Sequence, residues 1–279
     1  MTQMVERKRH YLMCRPAYFA VTYAINPWMD PDKPVDPGLA VAQWENLRQV
    51  YLDLGHQVSL IDPLPGLPDM VFAANGAVVV DVNDRSVVFG TRFRHPQRRP
   101  EEAAYASWFE GRDGFTVHRP KAIAEGEGDF LVTNDCVLAG TGFRTDLEAH
   151  NELARLIDRP VVTLRLIDPR FYHLDTALTI LDAERGLVAY LREAFAPSSR
   201  KRLRQLFPDA VEAEFDDAAV FGLNAVSDGH HVVLPEQAVG LAKQYADRGY
   251  EPITVDLSEL RKAGGGPKCC TLEVRGPVR

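Results

Sequence analysis

"AGGGPKCCTLEVR", Ala263–Arg275, places three glycines and a proline ahead of two adjacent cysteines almost at the end of the chain. It ends in a short apolar run, Lys268–Val274 ("KCCTLEV"), with no partner run nearby in sequence. A matching run, Arg9–Arg15 ("RHYLMCR"), stands at the other end of the chain. Taken together, the two make the split member of a set whose other members are contiguous. These are Met70–Gly90 ("MVFAANGAVVVDVNDRSVVFG"), Gly128–Gly142 ("GDFLVTNDCVLAGTG"), Thr176–Leu191 ("TALTILDAERGLVAYL") and Gly222–Pro235 ("GLNAVSDGHHVVLP"). Each reads as two apolar strands around a polar turn: Asp84-Arg85, Asn134-Asp135, Glu184-Arg185-Gly186 and Asp228-Gly229.

Helical patterns follow the hairpins. Leu39–Gly55 carries apolar residues at helical spacing and stops at a glycine. Arg98–Gly111 has Pro100 ahead of its helical run. Thr145–Asp158 offers Thr145 and Asp146 as caps, Ser198–Phe207 begins at serines, and Pro235–Gly249 starts after a proline. Five helices recur at intervals of roughly 40–55 residues, a spacing that calls for a repeat architecture. The expectation is an α/β fold of five sheet-plus-helix units closed into a pseudo-symmetric ring, a single domain over residues 1–279. Such a ring brings the termini together and sets Cys269 beside every other unit. The competing doubly wound sheet lacks a strand followed by a glycine-rich phosphate loop. The proline-rich Asp30–Gly38 reads as a surface loop and not a linker.

Composition narrows the function. The chain has 279 residues, 25% of them charged, and a net charge of −7, which argues against a general nucleic-acid binder. The basic run Arg200–Arg204 is read as the solvated face of a helix. Apolar runs such as Gly76–Val82 fall far short of the ~20 residues of a membrane span. The N-terminus lacks a secretory core, so a cytoplasmic protein is expected. Four cysteines, Cys14, Cys136, Cys269 and Cys270, do not make a disulfide framework. No C-x-x-C or H-x-x-x-H spacing points to zinc. Cys14 and Cys136 read as small buried strand residues. What survives for the opening stretch is a nucleophile presented by a glycine loop.

Polar residues interrupt the apolar segments in a few places. In Phe171–Ile180 ("FYHLDTALTI"), His173 and Asp175 are two apart, which on a strand puts them on one face. The bland alternative is a hydrogen-bonded core histidine beside a surface aspartate. Glu125, Glu127 and Asp129 are spaced by glycines, and could equally be an acidic loop. Asn75 with Gly76 breaks an apolar run, as a buried site or as a turn. Asn26, Arg98, Arg144 and the Cys269 loop complete the collection. Acids and amides suit a guanidinium with its five donors, arginines suit a carboxylate, and a thiol with a histidine suits nucleophilic attack. A free amino acid carrying a guanidinium satisfies all three.

Taken in order, "GFRT", "HLDT", "GGGPKCC" and the glycine-spaced acids resemble the guanidine-modifying enzymes of the pentein superfamily, over about Leu12–Val274. The resemblance implies an α/β-propeller of five ββαβ-type units around a central site. It implies Cys269 as nucleophile, His173 as general acid/base, Asp175 as a grip on the guanidinium and Glu125 as the site acid, with Glu127 its rival. It implies Arg98 and Arg144 as clamps on the substrate carboxylate, Arg94 being a weaker substitute. Asn26, Asn75 and Asn224 join the substrate-binding set, and Cys270 is read as packing. Deiminases and dimethylargininases of the superfamily carry Asp where this chain has Asn75. That residue, with "INPWM", resembles the arginine dihydrolases. Many dimethylarginine relatives have "HLK" where this chain has "HLD". The expected function is therefore arginine dihydrolase, giving ornithine, CO2 and two NH3 through a covalent thiouronium. Dimethylarginine dimethylaminohydrolase is the alternative; arginine deiminase, amidinotransferase and a non-catalytic amino-acid-binding protein follow. No cofactor and no metal are expected. The expected partner is a small molecule, arginine or a methylated arginine, with no nucleic acid or membrane; a homo-oligomer stays open.

Overall fold

The computed structural model describes residues 4–82 and 85–276. Its strands form five three-stranded mixed sheets. In each, a middle strand pairs antiparallel with one neighbour and parallel with the other. The middle strands are His10–Cys14, Arg85–Gly90, Val137–Thr141, Leu187–Tyr190 and His231–Pro235. Their antiparallel partners are, in the same order, Leu272–Glu273, Ala77–Val82, Phe130–Val132, Leu178–Asp182 and Val226–Ser227. Their parallel partners are Gln57–Ile61, Phe115–His118, Val161–Arg165, Val211–Glu212 and Glu251–Val255. The C-terminal strand thus completes the N-terminal sheet, with Tyr11 opposite Glu273 and Leu12 opposite Leu272. The Asp84-Arg85 turn lies partly outside the described residues.

Each parallel pair needs a crossover, and a helix supplies it. The helices are Pro37–Asp53, Glu101–Glu110, Leu147–Ala154, Pro197–Leu206 and Val239–Ala246. The first starts cleanly because Asp36 accepts the Leu39 N–H at 3.0 Å and Pro37 stands at the first turn, where a missing N–H costs nothing. Its inner face, Ala40, Trp44, Leu47 and Tyr51, is fully buried against a cluster that includes Met13 and Cys270. Arg202 and Arg204 of the fourth helix are exposed while Leu203 is buried, as a solvated basic face requires.

Three expectations change. Asp146 makes no cap bond and instead pairs with Arg94. The fifth helix begins at Val239, because Pro235 ends the strand before it. His173 and Asp175 are not on a strand: Leu174–Thr176 is a single 3-10 turn ahead of Leu178–Asp182. Asn75 likewise lies in the turn Ala73–Gly76.

Those turns position the site. Cys269, Glu127 and Asp175 each stand three residues ahead of an antiparallel strand, and Asn75 and Asn224 two residues ahead of one. The repeat therefore delivers five turns, one from each sheet, and the chemistry-bearing residues ride on them.

Candidate active site

The three glycines of the opening stretch are there for contact. Gly264 has φ +84°, and a Cβ on it would meet the Tyr172 hydroxyl at 2.8 Å and Asn26 Oδ1 at 2.9 Å. A Cβ on Gly265 would strike the Phe72 ring at 2.2 Å. Only bare backbone fits between these side chains, and it brings Cys269 into a small cavity. That cavity is lined by Asn26, Asp69, Asn75, Arg98, Arg144, Tyr172, His173 and Cys269, among others.

His173 Nε2 lies 2.7 Å from Glu125 Oε2, both residues buried. Arg144 donates to the same oxygen at 2.9 Å and to the Ile25 carbonyl, with its guanidinium over the Tyr172 ring. The Arg94 backbone N–H donates to Glu125 Oε1 at 3.0 Å. Burial pushes the Glu125 carboxyl up, but the Arg144 guanidinium and the His173 hydrogen bond outweigh it and hold it well below the usual carboxylate range. Glu125 is thus a fixed anion behind the histidine. Asp129 holds the turn that carries His173: its side chain accepts the Leu174 N–H at 3.0 Å and the Thr145 N–H at 3.2 Å.

On the other side of the cavity, the Cys269 thiol donates to Asp175 Oδ2 at 3.5 Å. Asp175 Oδ1 is buried without a partner. Burial pushes this carboxyl up to about 7, against the pull of Lys268 and the thiol. Burial first, and the Asp175 charge second, push the Cys269 thiol far up as well. An acid and a thiol buried side by side are primed for a cation: a guanidinium placed against them favours both ionised forms.

The structure separates some of the sequence candidates from this cavity. Glu127 is not beside Glu125; it accepts from the Glu273 N–H at 2.9 Å and from Lys268 and Arg275, in a different cavity with Arg9 and Tyr11. Asn224 does not line the site; it holds the Cys269 loop from behind, accepting the N–H groups of Gly266 and Cys269 at 3.1 and 3.0 Å. Arg94 points to Asp146. Arg98 lines the cavity but is gripped by Glu101 through two bonds of 2.9 and 2.8 Å, so it is not a free clamp. Arg98 also donates to Asn75 Oδ1 at 2.7 Å. The Asn75 amide therefore turns its oxygen to arginine, and its NH2 reaches the Glu125 carbonyl at 3.5 Å. Asn26 spends Oδ1 on the Trp28 and Met29 N–H groups and Nδ2 on the Ala263 carbonyl, pinning the loop over the cavity.

The chain is 54% identical over 268 residues to the N(G),N(G)-dimethylarginine dimethylaminohydrolase of Mycobacterium tuberculosis, covering 96% of this chain and 86% of that protein. It belongs to the guanidine-modifying pentein superfamily. Within that superfamily it is also 37% identical to the bifunctional arginine dihydrolase/ornithine cyclodeaminase ArgZ of Synechocystis, over 96% of this chain but 38% of that protein. The solved N-terminal domain of ArgZ, a cysteine-to-serine variant bound to substrate, matches with a TM-score of 0.89 at 36% identity, covering 98% of this chain and all of that one. A dimethylarginine dimethylaminohydrolase adduct with S-methyl-L-thiocitrulline shares the fold, with a TM-score of 0.79 at 19% identity. No family model matches the chain.

Two residues of this superfamily member escaped the sequence reading. Asp69 lines the cavity, accepts from the Tyr23 hydroxyl at 2.8 Å and leaves Oδ1 without a partner. Burial raises its carboxyl, against the pull of Arg98. Glu101, fully buried, neutralises Arg98. Asp69 was visible only as an acid at the edge of an apolar run, and Glu101 looked like the first turn of a solvated helix. Among the described residues, no helix is long and apolar enough to cross a membrane.

Proposed function

We propose that this protein, a hydrolase of C–N bonds in linear amidines, converts dimethylarginine to citrulline and dimethylamine. The identity of 54% over nearly the whole chain to a dimethylarginine dimethylaminohydrolase carries this reading. It moves ahead of arginine dihydrolase, which the sequence alone ranked first.

In this reading the five sheets form one propeller domain around the cavity, each contributing a turn. The guanidinium sits against the neighbouring Asp175 and Cys269 side chains, and the free Oδ1 of Asp69 takes the substrate ammonium. Arg144 lies at the carboxylate end. The incoming cation lets Cys269 ionise, His173 takes the thiol proton, and Sγ attacks the guanidinium carbon. The bond to the dimethylated nitrogen breaks as His173 donates a proton to it, leaving an S-alkyl thiouronium. His173 then takes a proton from water, the resulting hydroxide adds to the same carbon, and the C–S bond breaks to return the thiolate. Glu125 holds the imidazolium that His173 carries before the amine leaves and again once it has deprotonated the water.

A second reading, arginine dihydrolase, is favoured by one specific observation. Asn75 lines the cavity, and an uncharged amide in place of a carboxylate accommodates the neutral ureido group of citrulline, which a second hydrolysis would need. The test is mass-spectrometric product analysis with dimethylarginine, arginine and citrulline supplied separately. Citrulline and dimethylamine from dimethylarginine are expected. Ornithine with two ammonia from arginine would put the second reading first, and no product from any of the three would overturn both.

A further inference from the structure

The turn Asp228–His231 and the strand beside it gather groups that the reaction does not use. Asp228, almost fully buried, accepts the backbone N–H groups of His230 and His231 at 2.8 and 2.7 Å, which fixes the turn. Its other oxygen lies 2.7 Å from His231 Nδ1. That bond places the proton on Nδ1 and leaves the lone pair on Nε2. Nε2 faces Glu251, the cross-strand partner of His231, at 3.8 Å. This separation is too long for a hydrogen bond. It is close to the ~3.4 Å between two donors on one zinc, given bonds of about 2.0–2.2 Å at tetrahedral angles. The His230 ring lies 4.6 Å from that of His231, tilted by 53°, and one donor atom from each of His230, His231 and Glu251 lies within 4.8 Å of the others.

We propose that His230, His231 and Glu251 form a binding site for a divalent transition metal of the zinc class. Two imidazoles and one carboxylate are a borderline donor set that suits zinc over magnesium or calcium. Asp228 is the outer carboxylate that orients a ligating histidine and raises its basicity, an arrangement common at such centres. Glu6 approaches His231 from the Asp228 side and is engaged by Lys8, so it stays outside the ligand set. With three protein donors on the surface, a fourth position is left to water. The metal ties the turn to the strand Glu251–Val255, away from the cavity of Cys269. The sequence hides this site because its histidines are adjacent and its carboxylate arrives across the sheet.

The experiment is a titration of the Cys269→Ala protein with cobalt(II), read by visible absorption, so that the active-site thiol cannot compete. One equivalent with cobalt d–d bands and no thiolate charge-transfer band is expected. His231→Ala and Glu251→Gln, made in the same background, should each weaken binding by at least about tenfold. Glu251→Gln in the otherwise unaltered chain should keep full hydrolytic activity, which shows that it folds. No cobalt bands, or bands that neither substitution weakens, would overturn the proposal.

Discussion

Glu125 and Glu127 are separated by one glycine, both are buried, and both are surrounded by cations. Gly126, at φ +53°, lets the backbone turn between them; a Cβ there would come within 2.6 Å of the Ala74 carbonyl. The turn sends Glu127 into a second cavity and leaves Glu125 behind the His173 of the first. Glu125 meets a histidine that faces the reacting thiol's cavity, so it can steady a proton that moves. Glu127 meets Lys268, Arg275 and the backbone of the C-terminal strand, groups whose protons stay in place. On the proposed reading one acid serves the chemistry, and the other ties the C-terminal strand to the third sheet's turn. Residue type and burial are shared; the partners decide the role.

The sharpest way to break this comparison is the pair Glu125→Gln and Glu127→Gln. Each removes one charge from a buried ion pair, so each should cost about 3 kcal/mol of stability or more. Their turnover should diverge. Glu125→Gln leaves His173 without its anion and should lower kcat by roughly 10²–10³-fold. Glu127→Gln should keep kcat within about threefold when assayed well below its melting temperature. Equal kcat losses in the two variants would show that the division between cavities is wrong.

Asp175 sharpens the contrast through pH. It faces the thiol, and Lys268, which Glu127 engages, tempers its charge from the other cavity. Its native carboxyl titrates at about 7 and an unfolded one near 4. The native state therefore holds the proton more tightly. The stability this gives is complete below about pH 4, falls as the pH rises and is gone above about 7. Glu101, pushed by burial to about 7, and Asp129, pushed to about 6, act in the same direction. Asp175→Asn cannot ionise. It should abolish turnover yet be more stable than the unaltered protein at pH 8, by about 2 kcal/mol, with the gap closing towards pH 4. Thermal unfolding across that range checks it, and a gap independent of pH would refute the assignment.

Much of this was legible in the chain. The five hairpins and five helices stand where apolar runs and turn residues placed them, including the split pair at the termini. The parallel outer strands were not legible. Gln57–Ile61 and Glu251–Val255 are half exposed and carry polar residues, so neither shows an apolar run or clean alternation. For the site, residue types and their order along the chain brought His173, Asp175, Asn75 and Cys269 into view. Which way each side chain faces was not in the sequence. The strand reading of His173 and Asp175 failed because a 3-10 turn, not a pleat, separates them. Arg98 lines the cavity as its place in the chain suggested, but its pairing with Glu101, one turn of chain later, was not legible.

Asn224 shows the same limit, and it yields the smallest expected effect. An amide in an apolar segment reads as a group that touches substrate, yet all its bonds go to the protein. Oδ1 accepts from Gly266 and Cys269, and Nδ2 donates to the Asp175 carbonyl at 3.1 Å. It splices the loop of the thiol to the turn of the acid, and so sets the distance between them. Asn224→Ala would leave two buried N–H groups unpaired and let that distance drift. The expected outcome is a kcat about tenfold lower with KM within about threefold, since the cavity walls stay in place. Asn224→Asp keeps the acceptor for both N–H groups and should recover part of the loss. A rise in KM that matches or exceeds the fall in kcat would instead put Asn224 in contact with substrate, and return it to the role that the sequence alone had given it.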